Sequence, residues 1–193
     1  MPVKLKGPVA AQWVATIAFA VVLLAVPATS HAQTGSTGGT VFATEPDPTV
    51  TTPAPAGSVA TIDAKGRAIA PADAPKAVKQ IIAAGNKIAF KPYIYGGGHR
   101  SWRAKGYDCS GSVSYALRGA KLLKSPLATG DFIDWGEAGV GPWETLYTKS
   151  SHIYAVIAGL RFDTSGRLGK KGSRWQTAMR SPKGYTIRHP EGL

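Results

Sequence analysis

The sequence predicts an α+β domain, with helices at its N-terminal end packed on a small antiparallel β-sheet. Three observations lead there. Apolar residues recur at helical spacing in two segments, 71–90 and 109–120. Farther on, "SSHIYAVIAGLRFDTSG" reads as two β-runs joined by a tight turn. Helices that precede strands, instead of alternating with them, give the element order of an α+β chain. Residues 71–193 suffice for one such domain with one core.

The chain opens "MPVKLKGPVAAQWVATIAFAVVLLAVPATSHAQ": two lysines, an apolar run from Trp13 to Val26, and small residues ending in Ser30-His31-Ala32. This is the order of a secretory signal peptide, residues 1–32, cut after Ala32. The apolar run is shorter than the ~20 residues of a spanning helix, so export without stable membrane insertion is expected. Residues 33–70 read as a disordered linker, because "QTGSTGGTVFATEPDPTVTTPAPAGS" is rich in Thr, Pro, Gly and Ala; residues 59–70 are transitional. No internal repeat is evident.

Past residue 32 the chain carries 21 Lys and Arg against 11 Asp and Glu, a net charge of +10, and the basic residues are nearly absent before Lys65. Such a bias points to a polyanionic partner. For an exported chain, anionic cell-wall polymers fit better than nucleic acid.

The first helix is expected in "PADAPKAVKQIIAAGNKIAF", where Val78, Ile81, Ile82, Gly85 and Ala89 keep helical spacing, Asp73 can cap the start and Pro92 ends it. A second helix starts at Cys109, with Val113, Ala116, Leu117 and Ala120 in register and Asp108 at the N-cap. A loop rich in glycine, from Gly130 to Pro142, follows. The hairpin is expected to turn at Ala158-Gly159, and "GYTIRHP" to close the sheet. Gly96 to Gly98 cannot be a nucleotide loop, since no Gly-Lys-Ser/Thr follows. They let a backbone pass close to the thiol.

Cys109 is the single cysteine of the chain, and in an exported protein it has no internal disulfide partner. At a helix N-terminus it sits near unpaired N–H groups and the positive end of the dipole, which favour the thiolate, the nucleophilic form. A thiol nucleophile needs a base, and the base an orienting partner. Beyond residue 32 the histidines are His99, His152 and His189. His152 opens the first strand of the hairpin. With a two-residue turn, Ile157 pairs with Leu160 and Tyr154 with Asp163, which places Asp163 diagonally across from His152 on one face. A three-residue turn would offer Thr164 instead, and His189 is a further alternative for the orienting role. His99 follows the glycines at the entrance of the site.

"KPYIYGGGH", "YDCSGSVSYAL" and "SHIYAVIAGLRFDTS", in that order, resemble the NlpC-type family of papain-like cysteine peptidases, exported bacterial enzymes that cut the stem peptides of peptidoglycan. The resemblance covers about residues 75 to 165. It implies a papain-like fold for residues 71–193, a thiol mechanism without metal or cofactor, Cys109 as nucleophile, His152 as base and Asp163 as third residue. It also implies that Tyr93 lines the site. Tyr95 stands beside it in the same motif, and both are expected to meet substrate with His99, Arg100 and Arg103, the arginines as clamps for carboxylates. The favoured bond is D-glutamyl to diaminopimelate, and the location is outside the cell, in the wall or the periplasm. The stretch "GPWETLYTKSS", where relatives usually carry Pro-Gly-Asp-Leu, and the longer basic loop between Gly98 and Asp108 depart from the family pattern. An acyltransferase or amidase on the same scaffold, or a silent wall-binding module, would share these motifs.

Overall fold

A computed structural model describes residues 59–193. The signal peptide read at 1–32 and the linker up to residue 58 lie outside the described residues. The two-helix α+β architecture with an antiparallel sheet is the one observed. Its elements are β1 (Thr61–Ile62), β2 (Ala68–Ile69), α1 (Lys76–Ile88), α2 (Cys109–Gly119), a 3₁₀ turn (Asp131–Ile133), β3 (Glu137–Ala138), β4 (Glu144–Lys149), β5 (His152–Ile157), β6 (Leu160–Phe162), β7 (Trp175–Gln176) and β8 (Thr186–His189). β1 and β2 form a separate hairpin, and the other strands form one sheet in the order β3-β8-β4-β5-β6-β7, antiparallel throughout. Among the described residues no helix is long and apolar enough to cross a membrane.

Residues 59–70, assigned to the linker on composition, are instead ordered. Asn86 on α1 accepts from the Ala68 N–H at 2.9 Å and donates to the Ala68 carbonyl at 2.8 Å, so one amide side chain mimics a strand neighbour. Ala60 and Ala68 are buried, and the Ala60 N–H reaches the Ala158 carbonyl. The boundary read at residue 71 therefore lies too late. Small alanines carry little hydrophobic signal in a sequence, but they fit under a helix where larger residues would not.

α1 buries Val78, Ile81, Ile82 and Gly85 of the expected stripe, with Ala84 and Ile88 besides, and Ala89, the last of that stripe, is buried at the C-cap. Its N-cap is Pro75 with no side-chain cap bond, so Asp73 does not hold the position predicted for it. Two glycines bring backbones close: a Cβ at Gly119 of α2 would stand 2.5 Å from the Ala84 Cβ of α1, and one at Gly85 would stand 2.6 Å from the Trp175 ring of β7. Together the helices cover the sheet face formed by Leu146, Ile153, Ala155, Ile157, Leu160 and Phe162.

The turn between β5 and β6 is the predicted Ala158-Gly159, with φ of 45° and 79°, the left-handed backbone of a two-residue hairpin loop. Its register is Ile157 with Leu160, Val156 with Arg161 and Ala155 with Phe162. Here the ladder stops. The expected strand pair of Tyr154 with Asp163 does not form, and the Asp163 N–H bonds to the Arg174 carbonyl on the β7 side.

β4 went unread in the sequence, yet it lies between β5 and β8 in the sheet. Glu144 to Thr148 are all buried, so polar Glu and Thr face protein on both sides and the apolar alternation is lost. β8, expected to close the sheet, instead lies inside it between β3 and β4.

A buried arginine joins these layers. Arg174 is fully buried and donates to the carbonyls of Ile88 at 2.6 Å, Lys91 at 2.7 Å and Tyr107 at 3.2 Å, and to Ser112 Oγ at 3.0 Å. It satisfies carbonyls that the end of α1 leaves open and ties them to the start of α2. Burial lowers its pKa to about 10, which leaves it charged at neutral pH.

Candidate active site

The start of α2 is built around Asp108. Its Oδ1 accepts from the Gly111 N–H at 2.7 Å, the cap read from sequence, and its Oδ2 accepts from the Gly96 N–H at 3.0 Å. His99 Nε2 stands 3.0 Å and 3.1 Å from the two carboxylate oxygens and 3.2 Å from Ser110 Oγ. One carboxylate thus fastens the glycine loop to the helix. Glycine is required at the contact: a Cβ at Gly111 would stand 2.1 Å from the Gly97 carbonyl oxygen, and one at Gly97 would stand 2.4 Å from that of Gly106. The close approach made possible by Gly97 and Gly98 is therefore to Gly106, Tyr107 and the first turn of α2.

Cys109 is the first residue of α2 and is partly buried. Its Sγ lies 3.9 Å from Thr129 Oγ1, and the His152 ring and the Ile153 N–H are near enough to lower its pKa. The Cys109 N–H has no hydrogen-bond acceptor among the described residues. Opposite the thiol, His152 Nε2 is 2.9 Å from Asp163 Oδ1. Because Nε2 is engaged there, Nδ1 is the ring nitrogen left for the thiol.

Asp163 has no side-chain exposure and is held on both oxygens. Oδ1 also accepts from the Ser165 N–H at 2.8 Å, while Oδ2 accepts from Arg180 Nη1 at 3.0 Å and lies 3.6 Å from Arg161 Nε. Gln176 accepts from Arg161 and donates to the Ser165 carbonyl at 2.9 Å, bracing the turn that carries the carboxylate.

The electrostatics follow from these contacts. Burial opposes ionisation of Asp163, but the hydrogen bond to His152, the Ser165 N–H and Arg180 outweigh it and hold the carboxyl below its usual range. Burial likewise disfavours a charged His152, and the Asp163 and Cys109 bonds and charges overcome it, raising its pKa to about 9. For Cys109, burial pushes the thiol up, while the His152, Ile153 and Thr129 hydrogen bonds and the His152 charge bring it below its ordinary value. All three shifts favour a thiolate–imidazolium pair at neutral pH.

Of the other expected site residues, Tyr93 is half exposed, and its phenol is pushed up by burial and then by the Cys109 and Asp108 charges, so it lies within electrostatic range of the thiol. Tyr95 is almost fully exposed, and Arg100 and Arg103 are exposed on the same loop. His99 serves Asp108 rather than the thiol. Thr164 makes no hydrogen bond to the imidazole, and His189 Nδ1 and Nε2 meet the Gly139 carbonyl and Glu137 at the β3–β8 edge. Asp163 is the acidic partner of His152. Sequence reading missed Arg161, Arg180 and Thr129, which no local spacing relates to Cys109 or His152.

No family model and no curated protein matches the chain. Solved structures do. The chain is similar to the P60 domain of an antigen from M. avium subspecies paratuberculosis at 21% identity, over 58% of this chain and 94% of that one, with a TM-score of 0.45. It is similar to the peptidoglycan hydrolase RipB of Mycobacterium tuberculosis at 20% identity, over 60% and 68% of the two chains, with a TM-score of 0.47. It is also similar to RipD of Mycobacterium tuberculosis, described as a non-catalytic NlpC/p60 domain protein adapted to peptidoglycan binding, at 16% identity, over 60% and 98%, with a TM-score of 0.45. These are partial likenesses of backbone at low identity.

Proposed function

We propose that the chain is an exported NlpC/p60-type cysteine peptidase that hydrolyses an amide bond in peptidoglycan stem peptides. One observation carries this reading over a silent wall-binding module: His152 stands between the Cys109 thiol at a helix N-terminus and the buried Asp163 carboxylate. A module that only binds has no use for such an array.

The mechanism follows from the contacts. The thiolate, held as an ion pair with His152, attacks the substrate carbonyl. Charge developing on the carbonyl oxygen meets the Cys109 N–H, a free donor at the positive end of α2. Imidazolium then gives its proton to the leaving amine, and the acyl group remains on sulfur as a thioester. Water, deprotonated by the neutral imidazole, attacks the thioester and releases the acid and the thiol. Asp163 keeps Nε2–H oriented throughout, so that Nδ1 carries the proton traffic. Tyr93 borders the reacting centre, and exposed Arg100 and Arg103 are placed to meet substrate carboxylates. By family resemblance the bond is D-glutamyl to diaminopimelate, and the net charge of +10 past residue 32 would concentrate the protein on an anionic wall.

Mass spectrometry of muropeptides incubated with residues 33–193, beside the same protein carrying Cys109→Ala, tests the reading. New stem fragments from the wild type alone are expected, and their masses name the bond. Intact muropeptides in both samples, with wild-type protein still pelleting with cell walls, would refute hydrolysis and leave wall binding. Fragments joined to an added amine would identify an acyltransferase.

A further inference from the structure

The C-terminal segment "GSRWQTAMRSPKGYTIRHPEGL" supplies a side chain to the site that the thiol mechanism does not use. Arg180, beyond β7, donates from Nη1 to Asp163 Oδ2 at 3.0 Å and lies 3.4 Å from His152 Nε2. Its guanidinium lies over the Tyr154 ring, 5.6 Å from the centroid, and that ring stacks at 4.8 Å on Tyr147 of β4. The carboxylate is thereby divided: Oδ1 serves His152 and the Ser165 N–H, and Oδ2 serves the arginines.

We propose that Arg180 is a positioning residue of the site, fixing the Asp163 carboxylate so that Oδ1 alone faces the imidazole; the inference rests on the thiol–imidazole reading given above. The physical reason is that a carboxylate with one free oxygen can rotate between partners, whereas one anchored on Oδ2 by a planar donor cannot. Arg161 is a weaker anchor, because its Nε is 3.6 Å away and its Nη2 is taken by Gln176.

Arg180 also tempers the charge at His152. The groups facing that ring are Asp163 and Arg161 from the β6 side, Cys109 from α2, Arg180, Tyr154 on its own strand, and Lys149 opposite on β4, whose ammonium is turned onto the Tyr185 ring. Removing the Arg180 charge leaves Asp163 less compensated and takes a cation from beside Nε2. Both changes favour the imidazolium, so the histidine should keep its proton to higher pH.

The test pairs an NMR titration of the His152 ring, assigned with His152→Ala, with muropeptide cleavage by wild type, Arg180→Gln and Arg180→Lys. Arg180→Gln is expected to raise the His152 midpoint by about one unit and to lower kcat roughly tenfold to a hundredfold with KM little changed. Arg180→Lys keeps the charge without the fork, so its midpoint should return toward wild type while kcat recovers in part. A folded Arg180→Gln with an unmoved midpoint and undiminished kcat overturns the proposal. Should Arg180→Gln fail to fold, Arg180→Lys decides: a lowered kcat at the wild-type midpoint supports it, and a wild-type kcat overturns it. If the wild type cleaves nothing, the hydrolase reading falls and the titration alone judges Arg180.

Discussion

Glu144 opens β4 with its carboxylate inside the protein. The residue is 1% exposed, both side-chain oxygens lack a hydrogen-bond partner among the described residues, and burial raises its pKa from 4.5 to about 8. Between those values the folded chain holds a proton that the unfolded chain has released. Stability is therefore full below pH 4.5, falls as pH rises, and is lost through pH 8. Each pKa unit corresponds to 1.36 kcal/mol, so the whole span is on the order of 5 kcal/mol, an upper bound for a site that water can enter. Glu144→Gln cannot ionise and Glu144→Leu removes the polar group, so both should lack the Glu144 share of the wild-type decline. Denaturant unfolding at pH 5 and at pH 8.5 measures this as a difference between proteins, which cancels the contribution of His152. Expected is a wild-type loss exceeding that of either variant by several kcal/mol. Parallel stability curves for wild type and Glu144→Gln would show that the carboxylate is solvated or paired, and the reasoning would fail.

The lowered Cys109 and the raised His152 predict a thiol alkylated by iodoacetamide faster than a free cysteine at pH 6, with cleavage declining as pH rises through about 9 where imidazolium is lost; a reactivity midpoint at the ordinary thiol value would contradict the ion pair. Asp163→Asn should keep the fold but lower kcat by roughly 10³ to 10⁴, since an amide can present the wrong group to Nε2 and favour the wrong tautomer; steady-state kinetics on purified muropeptides reads the loss. Arg174→Met should lower unfolding stability by about 3–5 kcal/mol, because it abandons carbonyls of the α1 terminus in a buried site. Thermal and denaturant unfolding measure that loss, and a near-neutral result would mean water replaces the guanidinium.

The legible part of the fold was its local part. Asp108 before Cys109 marked the start of α2 because a cap acts within three residues, and Ala158-Gly159 marked the hairpin because its loop is two residues long. From that turn length Asp163 could be placed near His152, although the ladder ends at Phe162 and the side chain reaches the ring from the following turn. β4 was illegible because burial on both faces removes alternation, and the β1–β2 hairpin because alanines carry little signal. Asp73 looked like a cap in the sequence, yet the N-cap lies beyond it at Pro75.

By itself the sequence picked out the groups of the proposed site: one thiol at a helix N-terminus, a histidine at the head of a strand, and a carboxylate one short hairpin away. Caps, turns and periodicity act between neighbours in the chain, so they are written in neighbouring residues. Only the tertiary structure decided what surrounds those atoms. Arg174 meets α1 from more than eighty residues away, Arg180 reaches Asp163 across seventeen, and Glu144 loses its water to packing on both faces of its strand. Burial and long-range ion pairing depend on which segments meet, and those terms set the charge on the thiol, the imidazole and the buried acid.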